Sequence, residues 1–188
     1  MTFIVGLAGP GHVGKSTTAK NLTKSFKFLY PDLKIRTFAF ADPIYKMVSE
    51  LTGVPIETLK NEIYKETPWT KDTTPMPCLI GWTPRKFLQI IGTECFREKV
   101  NVNFWVEAAL CKLKEYDIVI SEDSRFENEY IPANIIIELE REGLEYLKNH
   151  ASAMPPEQKY IWKKIKLFPD INYNMIATDI YEQYKRTL

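Results

Sequence analysis

The sequence predicts an α/β fold, a parallel sheet of about five strands covered by helices on both faces. Three observations carry this. Short apolar runs with no polar interruption recur along the chain, the mark of strands buried on both sides. These runs alternate with segments of helical periodicity. The first run leads straight into Gly9-Pro10-Gly11-His12-Val13-Gly14-Lys15-Ser16, a G-x-x-x-x-G-K-[ST] loop, and then into a helical pattern.

Residues 3–8 read as the first strand. Ala19, Leu22, Phe26 and Leu29 then keep helical spacing. Residues 35–41 read as a second strand. Asp42-Pro43 follows, with Pro43 suited to a first helical turn and Asp42 to its cap. Residues 43–65 read as two short helices broken at Gly53-Val54-Pro55. Residues 66–83 are rich in proline and tryptophan and read as a loop. Thr83-Pro84 opens a helix to about 99, and a second helix, capped at Asn103, runs to about 115. Residues 117–120 and 134–139 are the third and fourth strands. The segment 141–166 is polar and lysine-rich, and 171–173 is the expected fifth strand. A helix over 178–186 closes the chain.

The glycine-rich loop names a ligand class. Its backbone N–H groups can point at a polyphosphate, Lys15 can reach the β- and γ-phosphates, and the Ser16 hydroxyl can ligate Mg²⁺. Strand, loop and helix in that order is the context the motif requires, so the class expected is a P-loop NTPase that uses ATP and Mg²⁺. Gly9, Gly11, His12, Val13, Gly14, Lys15, Ser16 and Thr17 are the expected nucleotide-binding residues. His12 stands at a variable position and contributes only its backbone N–H.

Composition limits the partners. The chain has 188 residues, 45% hydrophobic and 26% charged, which suits one compact domain. A formal charge of +1 argues against a nucleic-acid surface. It leaves room for small phosphorylated ligands. Cys78, Cys95 and Cys111 are widely spaced, with no metal-binding pattern, and read as reduced thiols of a cytosolic protein. The N-terminal apolar run reads as a strand and not a signal peptide, and no stretch approaches a membrane span. The expected partners are small nucleotides, not nucleic acid or membrane, for a chain acting as monomer or homodimer.

Ligands in open parallel sheets sit beyond the carboxyl ends of the strands. The phosphate loop follows strand one, Asp42 follows strand two, and Glu122-Asp123-Ser124-Arg125 follows strand three. Asp123 is placed to hold Mg²⁺ and Arg125 to meet a transferring phosphoryl group. Asp42 stays open between base, sugar contact and plain helix cap. On the helix after Pro84, at 100° per residue, Phe87, Leu88, Ile91 and Cys95 fall on one side. Arg85, Gln89, Thr93 and Arg97 fall on another. That second stripe suits a phosphorylated acceptor, because arginine grips phosphate bidentately. On pattern alone it suits better a solvated face with its arginines paired to Glu94 or Glu98, because exposed helix faces are usually charged. Residues 141–166, with Arg141, Lys148, His150, Lys159, Lys163 and Lys164, read as a candidate lid or a polar connector.

Three blocks occur in one order: Phe40-Ala41-Asp42-Pro43, then Thr83-Pro84-Arg85 through Leu88-Gln89 to Gly92-Thr93-Glu94, then Asp123-Ser124-Arg125-Phe126-Glu127-Asn128-Glu129. With Arg97, Trp105 and the phosphate loop, they resemble the deoxynucleoside monophosphate kinases of tailed bacteriophages over residues 1 to about 140. The resemblance implies one kinase domain with a helical acceptor-binding insertion at about 43–115 and a lid at about 141–168. It implies that Asp42, Arg85, Gln89, Thr93, Arg97, Trp105 and Arg125 contact the acceptor. Asp42 and Lys15 would join Asp123 and Arg125 in catalysis, and Asn174 would contact the ATP base. The implied reaction is transfer of the ATP γ-phosphate to a (deoxy)nucleoside 5′-monophosphate, in host cytoplasm if phage-encoded. Two other readings are open: a phosphomevalonate kinase-like phosphotransferase, which the same scaffold resembles more distantly, and an NTPase without an acceptor.

Overall fold

A computed structural model describes residues 2–146 and 155–188. Five strands form one all-parallel sheet in the order β2-β3-β1-β4-β5. They are β1 (Phe3–Ala8), β2 (Ile35–Phe38), β3 (Ile118–Ser121), β4 (Ile135–Glu140) and β5 (Ile161–Lys166). The register is direct: Val5 lies beside Ile120 on one side and Ile135 on the other. β1, β3 and β4 are buried almost throughout, which is why they are apolar over most of their length, with Glu138 and Glu140 of β4 the charged exceptions.

The chain falls into two compact units, Met1–Phe40 with Ala109–Leu188, and Ala41–Ala108. The first unit holds the sheet. Phe3, Val5 and Leu7 point to one face, where α1 (Lys15–Leu29) and α8 (Tyr173–Lys185) pack together over them. Tyr30 of the α1 end stacks on Tyr181 at 3.9 Å, and Phe3 meets Tyr184 edge-on at 5.9 Å. On the other face, Ala8 and Ile136 pack against Tyr130 of α7 (Glu127–Tyr130).

The second unit is helical: α2 (Asp42–Thr52), α3 (Ile56–Lys60), α4 (Glu62–Glu66), α5 (Pro84–Gln89) and a π-helical segment, Ile90–Arg97. α6 (Phe104–Leu110) leads out of it. Trp69 and Trp82 both meet Phe87 edge-on, and the Trp69 indole donates to the Tyr64 hydroxyl at 2.9 Å.

Several expectations are corrected. The fifth strand is not at 171–173 but at Ile161–Lys166, inside the segment read as a lid. Its Ile-Trp-Lys-Lys-Ile-Lys sequence is polar because an edge strand needs only one buried side, and edge lysines discourage further pairing. Glu138 and Glu140 lie opposite Lys164 and Lys166 across the ladder. The closing helix begins at Tyr173, five residues earlier than expected, because Asn172 caps it by accepting the Met175 N–H at 3.1 Å. Asp42 lies inside the first turn of α2, with Ala41 at the cap position. The helix expected to 115 ends at Leu110. Lys148 and His150 of the expected lid lie outside the described residues.

Candidate functional site

All five strands end on one edge, so the loops after β1, β3 and β4 are neighbours there. The phosphate loop leaves β1 at Gly9, whose φ is +146°. A Cβ at that position would stand 2.7 Å from the Leu139 carbonyl of β4, so only glycine fits. Gly14, with φ +109°, turns the chain into α1. His12 is the one non-glycine residue with positive φ among the described residues, at 60°. Val13 is fully buried and anchors the loop to the core. Ser16 and Thr17 are exposed in the first turn of α1, where unpaired N–H groups and the helix dipole favour an anion.

Lys15 donates from Nζ to the carbonyls of Gly9 and Pro10, both at 2.8 Å. Burial lowers its pKa to about 8, with the Arg125 cation pushing the same way and Asp123 opposing. Lys15, Arg125 and Asp123 therefore share one electrostatic site, while Asp42, which the strand-end argument groups with them, belongs to the other compact unit.

The segment after β3 is held from several directions. The Asp123 carboxylate accepts the Phe40 N–H at 2.8 Å, and the Ser124 hydroxyl donates to that of Ser121 at 2.9 Å. Glu129, only 3% exposed, accepts the N–H of Arg125 at 2.8 Å and of Phe126 at 3.2 Å. The Tyr130 hydroxyl donates to the Ser124 carbonyl at 3.4 Å; burial, then Glu129, pushes its pKa up. The Arg125 side chain stays exposed. Glu129 and Tyr130 escape sequence reasoning. Glu129 closes the block that begins at Asp123, but nothing in the sequence gives it a role, and Tyr130 carries no signal.

The loop after β4 adds a cation. Arg141 and Leu167 close over Gly14, where a Cβ would stand 3.3 Å from Arg141 Nη2 and 3.4 Å from Leu167 Cδ1. Beside them is a cavity of about 390 Å³ bounded by Pro10, Glu138, Arg141, Leu144, Tyr146 and Lys166. Glu138, 4% exposed, pairs with Lys164 at 2.7 Å and accepts from the Tyr146 hydroxyl at 3.1 Å. Asn174 is exposed in the first turn of α8, which follows the carboxyl end of β5.

In the helical unit, Asp42 pairs with Lys60 at 3.1 Å. Arg85 pairs with Glu62 at 3.0 Å and with Glu66, so its expected partners Glu94 and Glu98 are replaced by carboxylates of α4. Gln89 and Thr93 are exposed and Arg97 is half-buried. Trp105 is not available to a nucleotide base, a correction to the expectation. It is 2% exposed, packs against both Phe96 and Phe104, and donates its indole N–H to the Gly92 carbonyl at 2.7 Å. A buried indole needs such a partner. Cys95 is also displaced: expected on the apolar side, it is exposed.

A parallel sheet whose first strand ends in a Walker-type loop, with an aspartate and an arginine at the neighbouring strand end, defines a P-loop NTPase fold. Within that class the chain is similar to the "Deoxynucleoside-5′-monophosphate kinase" of Escherichia phage T5, at 25% identity over an alignment of 211 residues covering 87% of this chain and 82% of that protein. It is also similar to the "Putative deoxynucleotide monophosphate kinase" of Acanthamoeba polyphaga mimivirus, at 29% identity over 168 residues covering 79% of each. These two proteins bear out the family resemblance read from the sequence. A putative plasmid partition protein of Borrelia burgdorferi bound to AMPPNP aligns over 100% of this chain and 99% of its own, at 14% identity and a TM-score of 0.42. No family model matches the chain. Among the described residues, no helix is long and apolar enough to cross a membrane.

Proposed function

We propose that this protein transfers the γ-phosphate of ATP to the 5′-phosphate of a (deoxy)nucleoside monophosphate. The observation that carries the reading is the convergence of Lys15, Asp123 and Arg125 at the phosphate loop. The names of the two viral relatives direct that chemistry toward a nucleotide acceptor. The loop amides from Gly9 to Thr17, with Gly11, His12, Val13 and Gly14 between, cradle the donor phosphates, and Lys15 and Arg125 offset charge on the transferring group. Asn174 remains a candidate contact to the donor base.

Mg²⁺ fits the donor set. It typically keeps several waters and takes one or two protein oxygens beside phosphate, which a hydroxyl and a carboxylate supply. Ser16 and Asp123 would hold it, and it would neutralise charge on the β- and γ-phosphates.

In this reading the unit Ala41–Ala108 is the acceptor-binding insertion. Arg97, Thr93 and Gln89 meet the acceptor, with Arg85 held by its two glutamates. The nucleophile is a phosphate oxygen of the acceptor, mostly ionised near neutral pH with a second pKa of about 6. No strong general base is required, so Asp42 serves as an acceptor contact and not a base.

ADP release from Mg²⁺-ATP, with each common dNMP and NMP offered singly and with phosphomevalonate and no acceptor as comparisons, tests the reading. Strong stimulation by at least one of them, with the matching diphosphate formed and most turnover lost in Lys15→Ala, is the expected result. Turnover only with phosphomevalonate, or turnover independent of any acceptor, would replace it by the corresponding alternative.

A further inference from the structure

The helix that carries Arg85, Gln89, Thr93 and Arg97 changes its winding midway. α5 is α-helical through Gln89, and Ile90–Arg97 is π-helical. The Glu98 N–H donates to the Thr93 carbonyl at 3.0 Å, five residues back, and the Asn101 N–H donates likewise to Phe96.

Winding decides where the stripe points. In an α-helix each step of four residues overshoots a full turn by about 40°, so three steps would carry Arg97 about 120° away from Arg85. A π-turn closes one residue later. Four residues then fall short of a turn, and the drift acquired between Arg85 and Gln89 is reversed between Gln89 and Arg97.

The apolar side records the same shift. Cys95, four residues after Ile91, is exposed. Phe96, five residues after Ile91, enters the ring cluster, 4.7 Å from Phe104 and 4.9 Å from Trp105.

One bond sits at the right place to hold this winding. The Gly92 carbonyl lies near the start of the π segment, and in an α-helix its partner would be the N–H four residues on. The buried Trp105 indole competes for that carbonyl at 2.7 Å. Gly92 is itself buried against Ile44, where a Cβ would stand 2.9 Å from Ile44 Cδ1.

We infer that Trp105 is a positioning residue: through the Gly92 carbonyl it holds the π winding, and the winding aligns Thr93 and Arg97 with Gln89 and Arg85 to receive an acceptor phosphate. The acceptor half of this rests on the kinase reading above; the winding half does not.

The test is Trp105→Phe, which keeps an aromatic ring and removes the N–H. Steady-state kinetics are run against the best dNMP and against ATP, with amide hydrogen exchange followed over residues 93–98. The acceptor KM should rise about tenfold, since small misplacements of a binding group cost that much or more. The ATP KM should stay within about twofold. Amides 93–98 should exchange faster. An unchanged acceptor KM in a folded variant, or equal rises in both KM values, overturns the inference. If Trp105→Phe does not fold, deletion of Glu94 shortens the π segment by one residue, against its winding, and leaves Trp105 in place. A selective rise in acceptor KM supports the inference, and no rise overturns it. If the wild type accepts no nucleotide at all, the kinase reading fails on its own. The exchange data then decide: faster exchange supports Trp105 as the pin, and unchanged exchange overturns it.

Discussion

Lys15 is pulled two ways. Burial and the Arg125 cation lower its pKa to about 8, while Asp123 opposes them. Its ordinary value is 10.5, so the unfolded chain holds more protons between pH 8 and 10.5. The cost of burying the charged amine is complete below 8 and disappears as the pH climbs through that window, so this residue makes the fold more stable at the alkaline end. Nucleotide binding runs the other way, because a triphosphate needs the ammonium. Affinity for a non-hydrolysable ATP analogue should fall about fivefold from pH 8 to pH 9 as the free amine deprotonates. Binding titrations across pH 7–9.5 measure this. Lys15→Arg should flatten the slope, since a guanidinium does not titrate there. An equal slope in both proteins would assign the titration to another group.

At the scale of elements, α7 shows how support differs from chemistry. It has four residues, too few to persist as an isolated helix. It supplies Glu129, whose one oxygen accepts two backbone N–H groups of the segment bearing Arg125. Glu129→Ala leaves those amides without an acceptor. It should lower kcat by about ten- to a hundredfold through misplacement of Arg125, with the ATP KM little moved. Glu129→Gln keeps an oxygen able to accept both bonds and should retain most of the turnover. Equal losses in the two variants would mean that the charge of Glu129 matters and not its geometry.

The same scale explains what the sequence makes legible. Strands β1, β3 and β4 are readable because a strand buried on both faces is apolar over most of its length. The phosphate loop is readable because only certain residue types permit its backbone. β5 is hidden because an edge strand carrying Lys163, Lys164 and Lys166 has the composition of a connector. The π segment is hidden because a change of winding leaves no residue type behind, so a wheel drawn at a fixed angle places Cys95 inward and leaves Phe96 unassigned. Trp105 reads as an acceptor contact for a related reason: an indole looks the same in sequence whether it meets a nucleotide or a buried carbonyl. Glu129 closes a recognisable block, but only its burial shows what it does.

For the whole molecule, the proposal assigns the two ligands to different compact units. The donor triphosphate belongs to the unit formed by Met1–Phe40 and Ala109–Leu188, which carries the phosphate loop. The acceptor belongs to Ala41–Ala108, which carries Gln89, Thr93 and Arg97. Binding stabilises a folded protein by mass action, about 2.7 kcal/mol at a hundred times the Kd. For a chain of this size that raises Tm by about 5–10 °C. Each ligand alone should therefore shift the melting curve of the wild type. Lys15→Ala should lose the shift with the ATP analogue and keep the shift with the dNMP. Arg97→Ala should do the reverse. Loss of both shifts in either variant would mean that the substitution acts on the fold and not on one ligand. Loss of the dNMP shift in Lys15→Ala alone would place the acceptor phosphate at the phosphate loop, and the arginine stripe would then have no claim on it.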